Sequence, residues 1–342
     1  MISNGQNIIF PKGQKSEFRM IDVGKKRPTR RCAIAVGKIT MGEDAFGHLQ
    51  NGTLPKGNVL ALAEVAGITG AKNTPQLIPL CHSLPLDQVT IHFELDSKNS
   101  SVLVYCQAVA IAKTGVEMEA LAGVNAALLT IWDLTKGIDP NLEIGNVTLL
   151  VKTGGKSGVW KNPSGIPSWL ESQLARPDIF LDKKAAVLVM SDRASSGQYQ
   201  DESGTLLVSI LKQAGAAVVD YTIIPDDVDT ISQTLKSICI DSAPDILFTT
   251  GGTGPGPRDV TPEALARVSD RMLEGFGDYL RAESLYFTDT AWLSRMTAGM
   301  VGATLVIAFP GSPKAVQECW DIIQPFIGDA LNKIAKQGFK GK

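Results

Sequence analysis

Between residues 157 and 183 the chain changes the order in which its apolar segments recur, and that change constrains the fold more than any motif does. Upstream, the pattern reads β-α-β-β-α-β, with strands over 31–40, 87–95, 101–111 and 144–152 and helices over 57–70 and 115–135. Downstream, apolar strands at 185–190, 217–224, 245–250 and 303–309 alternate with helical patterns near 203–214, 228–240, 262–272 and 314–334. The run between them mixes Pro, Gly and Ser with one short helical stretch, the composition of a connection. We therefore expect one domain over 1–158, a linker over 159–183 and a second domain over 184–342. A chain of 342 residues is also longer than one core usually supports.

The two patterns imply different architectures. Val89, Ile91, Phe93 and Leu95 alternate with Thr90, His92 and Glu94, the period of a sheet with one buried face. With the β-α-β-β-α-β order this predicts a ferredoxin-like α+β domain. The downstream alternation predicts a doubly wound α/β domain whose ligands lie at the carboxyl ends of its strands.

Composition excludes several function classes. The longest apolar runs, 185–190 and 303–309, are strand-sized and far short of the ~20 residues that cross a bilayer. The first residues carry no basic stretch leading into an apolar core, so we expect no secretory signal and a cytoplasmic protein. Five scattered cysteines without a CxxC pair argue against a disulfide framework or structural zinc. Through residue 156 there are 16 Lys+Arg against 13 Asp+Glu, and beyond it 17 against 22. Neither half is basic enough for nucleic acid, although Lys25, Lys26, Arg27, Arg30 and Arg31 form a local cluster.

Within the first half, His82 in IPLCHSLPL reads either as a packed loop histidine or as a general acid/base, imidazole being the group that titrates nearest neutrality. In KTGVEMEAL, Thr114 and Glu117 have capping-box spacing, whereas Glu119 does not. Two positions apart on a helix face different ways, so both carboxylates serve one site only at a helix entrance. Asp133 and Lys136 have the spacing of a surface ion pair, and Lys56 and Arg31 taken singly are ordinary solvated cations. KTGGKSG can surround an anion with backbone N–H groups, but Leu150 stands where a P-loop requires its first glycine.

Taken in order, MIDVGKKRPTRR, LPKGNVLALAEVAGI, LIPLCHSLPL, KTGVEMEAL, TIWDLTKG and VKTGGKSG resemble the motifs of cyclic pyranopterin monophosphate synthase over residues 19–158. The resemblance implies conversion of 3′,8-cyclo-7,8-dihydro-GTP into cyclic pyranopterin monophosphate with loss of pyrophosphate and without a cofactor. It implies catalytic roles for Lys56, His82, Glu117, Glu119, Asp133 and Lys136, with Arg31, Cys81, Met118 and Lys156 binding substrate. It also implies a site between subunits of a hexamer. Asn58 and Thr135 depart from the family, which commonly has Asp and Cys there.

In the second half, the strands ending at Met190 and Thr250 run into SDRASSGQYQDESG and GGTGPGPRDVTPEAL, turns able to meet a phosphate. Asp226 and Asp259 read either as magnesium ligands or as helix caps, and the two are compatible. Ser312, in PGSPKAV, opens another helix that can meet an anion. Together, MSDRASSGQYQD, TTGGTGPGPRDVTPEA, GFGDYLRAESL, LSRMTAGM and PGSPKAV resemble the molybdopterin adenylyltransferase family over 184–334. The resemblance implies MgATP and molybdopterin as reactants and a homo-oligomer, trimer or hexamer. It makes Asp226 and Asp259 catalytic and metal-binding, with Ser191, Asp192, Gly251, Gly252, Thr253, Gly254 and Ser312 lining the cleft and Arg258 stabilising charge. Ala308 and Phe309 stand where that family often has Asn-Leu. Two functions follow: a bifunctional molybdenum cofactor enzyme, or a first domain that alone turns over beside a molybdopterin-binding or assembly module. Small-molecule pterins and nucleotides are the expected partners, with no nucleic acid and no membrane.

Overall fold

The computed structural model describes residues 18–155, 158–174 and 179–336. The chain divides between Glu171 and Ser172 into two compact units. No described helix is long and apolar enough to cross a membrane.

The first unit runs β1 (Thr29–Thr40), α1 (Glu43–Gln50), α2 (Val59–Lys72), α3 (Thr74–Leu77), β2 (Gln88–Asp96), β3 (Ser101–Ala112), α4 (Glu117–Thr135), β4 (Glu143–Thr153) and β5 (Val159–Lys161), and the division falls within the next helix, α5 (Ser168–Leu174). Its five strands lie in the order β2-β3-β1-β4-β5, every neighbouring pair antiparallel. Side chains on one face of β1 and β3, among them Ala33, Ala35, Val104, Cys106 and Ala108, are buried in one cluster with Ala63 of α2 and with Val124, Leu128 and Ile131 of α4. Leu128 and Ile131 are fully buried, each stabilising by about 1.5–3 kcal/mol.

Small residues let these helices approach closely. A Cβ on Gly70 of α2 would stand 2.4 Å from the Cβ of Ala126, and one on Gly123 of α4 would stand 2.5 Å from the Sγ of Cys106. Asn58 caps α2 by accepting the Ala61 N–H at 3.1 Å. Asn and Asp cap equally well, so the departure at this position leaves the helix entrance intact. Thr135 is buried at the end of α4, and its hydroxyl finds no partner among the described residues.

The segment 159–183, read from sequence as a linker, contributes to both cores. Val159–Lys161 pairs with β4, Trp169 of α5 packs edge-on against Tyr105 of β3, and Leu170 is buried. Phe180 is fully buried against Trp320, in the second unit. Apolar groups of this size are held by any surface that excludes water, which composition alone does not register.

The second unit runs β6 (Lys184–Met190), α6 (Asp192–Ser195), α7 (Glu202–Gln213), β7 (Ala217–Ile224), α8 (Val228–Ser237), β8 (Ile246–Thr250), α9 (Thr261–Val268), β9 (Arg271–Met272), α10 (Glu274–Ser284), β10 (Thr297–Val301), β11 (Thr304–Phe309) and α11 (Pro313–Lys336). Its sheet has the order β7-β6-β8-β11-β10-β9. The first four strands are parallel, and β10 and β9 join antiparallel at one edge. Leu207 and Leu211 of α7 and Ile323 and Ile327 of α11 pack on one face. Ile231 and Leu235 of α8 and Leu265 of α9 pack on the other. This is an α/β unit with helices on both faces.

Two sequence assignments change and two elements are added. The helix near 262–272 ends at Val268, and Arg271–Met272 is a short edge strand. The pattern near 228–240 is helical only to Ser237, followed by a π-turn over Ile238–Ser242. Helix α10 and strand β10 had no sequence assignment, because glycines at 275, 277 and 299 dilute their patterns. Two of those glycines permit close approach: a Cβ on Gly277 would meet the Met296 carbonyl at 2.1 Å and one on Gly299 the Ser269 Oγ at 2.3 Å.

Candidate functional site

In the first unit the expected residues form two groups at opposite ends of α4. At its start, Glu117 and Glu119 occupy the first turn, the helix entrance that their spacing requires. The capping-box reading of Glu117 fails: the N-cap is Val116, without a side-chain bond, and Glu117 instead pairs with Lys152 of β4 at 3.0 Å. Glu119 is buried, 3% exposed, and its carboxyl is held above the usual range, first by desolvation and further by the charge of Glu117. Its charge in turn reaches Cys81, whose thiol is raised chiefly by burial, so the loop carrying Cys81 and half-buried His82 lies beside it. Met118, on the same turn, is 39% exposed.

Arg31 completes this group from β1. It lies against the Gly-rich turn after β4, where a Cβ on Gly155 would stand 1.8 Å from its Nη1. Gly154 and Gly155 both have positive φ, 97° and 69°, which glycine adopts without strain. Burial lowers the pKa of Arg31, an effect that Glu117 opposes. Arg31, Glu117, Lys152 and Gly154 line a cavity of about 60 Å³. Lys156 lies outside the described residues. Lys152 was not singled out from sequence, because a lone lysine ending a strand carries no local signal; only the fold brings it to the start of α4.

The second group sits at the other end of the helix. Asp133 receives Lys136 at 2.6 Å and Lys56 at 3.1 Å, and the Lys56 ammonium also donates to the Asp133 carbonyl at 2.9 Å. Hydrogen bonds from Lys136 and then Lys56 hold the Asp133 carboxyl below its ordinary value. What sequence spacing presents as a local surface pair is thus a network recruiting a lysine from 77 residues away. At 1.5 Å per residue, Glu117 and Asp133 are about 24 Å apart along α4. One chain therefore does not join the two groups.

In the second unit the expected residues do converge. Loops leaving the carboxyl ends of β6, β7, β8 and β11 meet at one edge of the sheet. The Asp192 N–H donates to the Asp226 carboxylate at 3.2 Å, and the Asp226 N–H returns a bond to Asp192 at 3.1 Å. Arg258, from the loop after β8, pairs with Asp192 at 2.5 Å. Gly251 N–H donates to the Phe309 carbonyl at 3.3 Å, and Thr250 Oγ1 donates to Pro310 O at 2.7 Å, tying that loop to the one carrying Ser312. Gly251 has φ 103° and passes so close to β6 that a Cβ there would stand 2.2 Å from Met190 O. Gly252 has φ 62°, and a Cβ there would come 3.2 Å from the Asp226 carboxylate.

The capping readings of Asp226 and Asp259 are both corrected. Asp227 caps α8 by accepting the Thr230 N–H, leaving Asp226 turned toward Asp192. The N-cap of α9 is Val260, without a side-chain bond, and the Asp259 carboxylate accepts the Gly256 N–H at 2.9 Å within its own loop. Ser191 and Ser312 each accept an N–H three residues on, from Ala194 at 3.2 Å and Ala315 at 3.3 Å. Thr253 is buried, and its carbonyl accepts the Arg295 N–H at 2.7 Å. Arg295 is a second residue that sequence reading did not single out.

Among the described residues, no three His, Cys, Asp or Glu side chains converge as a metal cage. Magnesium needs fewer, one or two carboxylates with substrate phosphates filling the shell. Burial raises the Asp226 carboxyl, and the nearby charges of Asp192 and Asp259 raise it further, while Arg258 opposes them. Asp226 and Asp259 are the carboxylates here that could serve such an ion.

Comparison with known proteins supplies the family. The MoaC family model matches residues 20–155, and a model described as "Probable molybdopterin binding domain" matches residues 186–329. A molybdenum cofactor biosynthesis bifunctional protein of Synechococcus elongatus is 40% identical over 312 residues, covering 91% of this chain and 96% of the relative. The chain belongs to the molybdenum cofactor biosynthesis bifunctional proteins. Another, from Chlorobaculum tepidum, is 39% identical over 320 residues, with 94% and 96% covered. A cyclic pyranopterin monophosphate synthase of Clostridium acetobutylicum is 46% identical over 145 residues, or 42% of this chain and 90% of that one. The two matched regions fall one in each compact unit.

Proposed function

We propose that the first unit converts 3′,8-cyclo-7,8-dihydro-GTP into cyclic pyranopterin monophosphate, releasing pyrophosphate, and that the second adenylylates molybdopterin with ATP. Lys152, Arg31 and the Gly-rich turn meet the phosphates of the first substrate. Glu119, whose carboxyl burial and the charge of Glu117 raise above the usual range, is the proton donor to the ring being rebuilt, and His82 exchanges protons at the same edge. Lys56, Asp133 and Lys136 supply the opposite wall from another subunit, so this reading requires a homo-oligomer, a trimer or hexamer. The strand order supports reading this unit as ferredoxin-like, and the soluble small-molecule chemistry supports a cytoplasmic location.

For the second unit, the observation that carries the reading is the meeting of Asp192, Asp226, Arg258 and Asp259 on loops at the carboxyl ends of adjacent parallel strands. Asp226 and Asp259 would hold magnesium, which neutralises phosphate charge when bound. The glycine turn at 251–254 leaves room for phosphates against the backbone, and Arg258 exchanges Asp192 for the charge on the α-phosphate. The pterin's terminal phosphate attacks that α-phosphate, the bond to pyrophosphate breaks, and no covalent enzyme intermediate is needed.

The alternative of a molybdopterin-binding module rested on Ala308 and Phe309. Both are fully buried in β11, Phe309 packed on Phe248 and Ala308 in register with Thr249, so neither offers a surface to a ligand. Incubating the full-length protein with molybdopterin and MgATP tests the reading. Adenylylated molybdopterin is expected from the wild type and its loss from Asp259→Asn. Silence of the wild type, with molybdopterin still bound, would leave the module reading standing.

A further inference from the structure

Arg295 takes no part in the chemistry above, yet it grips the loop that carries Asp259. Its backbone N–H donates to Thr253 O at 2.7 Å and its Nε to Gly254 O at 2.9 Å. Its Nη2 donates to the carbonyl of Asp259 itself, and its Nη1 pairs with Glu263 on α9. One residue thus ties both ends of the segment 253–259, in which Gly254 and Gly256, the freely turning positions, alternate with Pro255 and Pro257, whose φ is fixed. Within the segment, the Asp259 carboxylate accepts the Gly256 N–H, so the position of that carboxylate follows the shape of the loop.

We propose that Arg295 is a positioning residue for Asp259 and that Glu263 orients it. This rests on the assignment of Asp259 to the adenylylation site. A guanidinium is suited to the task because it stays charged and presents its donors in one fixed plane. Lysine at this position would keep the charge and the Glu263 pair but would not span Gly254 O and Asp259 O together. The bond to Arg295 also lowers the Glu263 carboxyl below its ordinary value, favouring the ionised form that the pair uses. The sequence signal is LSRMTAGM, whose arginine lies 36 residues beyond Asp259 and just before β10, so nothing local shows what it touches.

The test uses the full-length chain and measures kcat and KM for ATP in wild type, Arg295→Ala, Arg295→Lys, Asp259→Asn and the Arg295→Ala/Asp259→Asn double variant. Misplacing a reacting group by about 1 Å can cost ~100-fold. Arg295→Ala should therefore lower kcat by one to two orders of magnitude with a smaller change in KM, and Arg295→Lys should recover part of the loss. In the Asp259→Asn background the same substitution should cost about twofold or less, because coupled residues are not additive. Equal losses in both backgrounds, or a parallel loss of cyclic pyranopterin monophosphate formation by the other unit, would overturn the proposal. If the wild type shows no adenylylation, the assignment of Asp259 fails by itself. Amide exchange across 251–260 then decides the clamp: faster exchange there in Arg295→Ala, with the rest unchanged, supports it, and unchanged exchange overturns it.

Discussion

The two units of this chain gather their charged groups with opposite geometry. In the second, the four parallel strands all end on one side, so loops 60 and 66 residues apart meet without help: Thr250 donates to Pro310, and Arg258 reaches Asp192. In the first, an antiparallel sheet alternates its strand ends and α4 carries Glu117 and Asp133 on turns about 24 Å apart. Within one chain the loops of the parallel sheet meet, whereas the antiparallel unit keeps its two charged groups at opposite ends of α4.

The largest effect should come from breaking that difference. Glu117→Gln and Asp133→Asn should each lower cyclic pyranopterin monophosphate formation by ~100-fold or more, the scale of a lost acid/base group. Mixing the two variants under conditions that exchange subunits should restore a readily measured fraction, since some interfaces then carry one intact set of both groups. The matching pair in the second unit, Asp226→Asn with Asp259→Asn, should show no recovery of adenylylation on mixing. Failure of the first pair to complement would mean that each subunit builds its whole site alone.

Next in size is the loss expected from Asp226 alone. Asp226→Ala should lower adenylylation by roughly 100-fold, as for removal of one preorganised electrostatic group, while the first activity is unchanged. The raised Asp226 carboxyl adds a pH signature: the group binds its proton more readily than a free aspartate, so activity that needs its ionised form should fall at a higher pH on acidification than an ordinary carboxylate would allow. A pH-rate profile of adenylylation checks this.

How much of this was legible beforehand follows from what each feature depends on. The alternation in 89–95 and the strand-helix alternation beyond residue 184 arise from burial along single elements, and both survive in the structure as β2 and as the parallel sheet. Glu119, Asp192 and Asp226 could be named from sequence because motifs carry them. Lys152 and Arg295 were missed because their partners, Glu117 and Asp259, lie 35 and 36 residues away and the pairing exists only after folding. The caps assigned to Glu117, Asp226 and Asp259 failed for a related reason. Spacing licenses a cap, but a tertiary partner or a neighbouring residue took its place.

A smaller effect separates the units by stability. Glu119 binds its proton more tightly folded than unfolded, so between its ordinary pKa and its raised folded value the native state holds more protons. Stability then falls as pH rises through that window and stays lower above it. Replacing Glu119 with Gln should raise the melting temperature of the first unit at neutral pH, leave it unchanged at acid pH and abolish cyclic pyranopterin monophosphate formation. A variant whose stability tracked the wild type at every pH would mean that Glu119 is solvated as an ordinary glutamate.

The smallest effect concerns Thr249, and it asks whether the second unit's departure from its relatives touches function. Thr249 is fully buried, its hydroxyl has no partner among the described residues, and its neighbour in register on β11 is Ala308, where the adenylyltransferase family often has Asn. A buried hydroxyl left unpaired costs about 1–3 kcal/mol, so Thr249→Val, nearly the same shape, should stabilise the protein by ~1 kcal/mol. Ala308→Asn would give the hydroxyl a partner but must find room in a closed core, where added volume costs about 1–3 kcal/mol. It should therefore be neutral or destabilising unless Phe309 and its neighbours repack. Thermal melts of the two variants, each paired with an adenylylation assay, separate the possibilities. Stabilisation by Thr249→Val with full activity makes the Ala308 departure a matter of packing. A fall in activity would instead make that hydroxyl part of how β8 aims the glycine turn at its substrate, and the departure at Ala308 a change in the site itself.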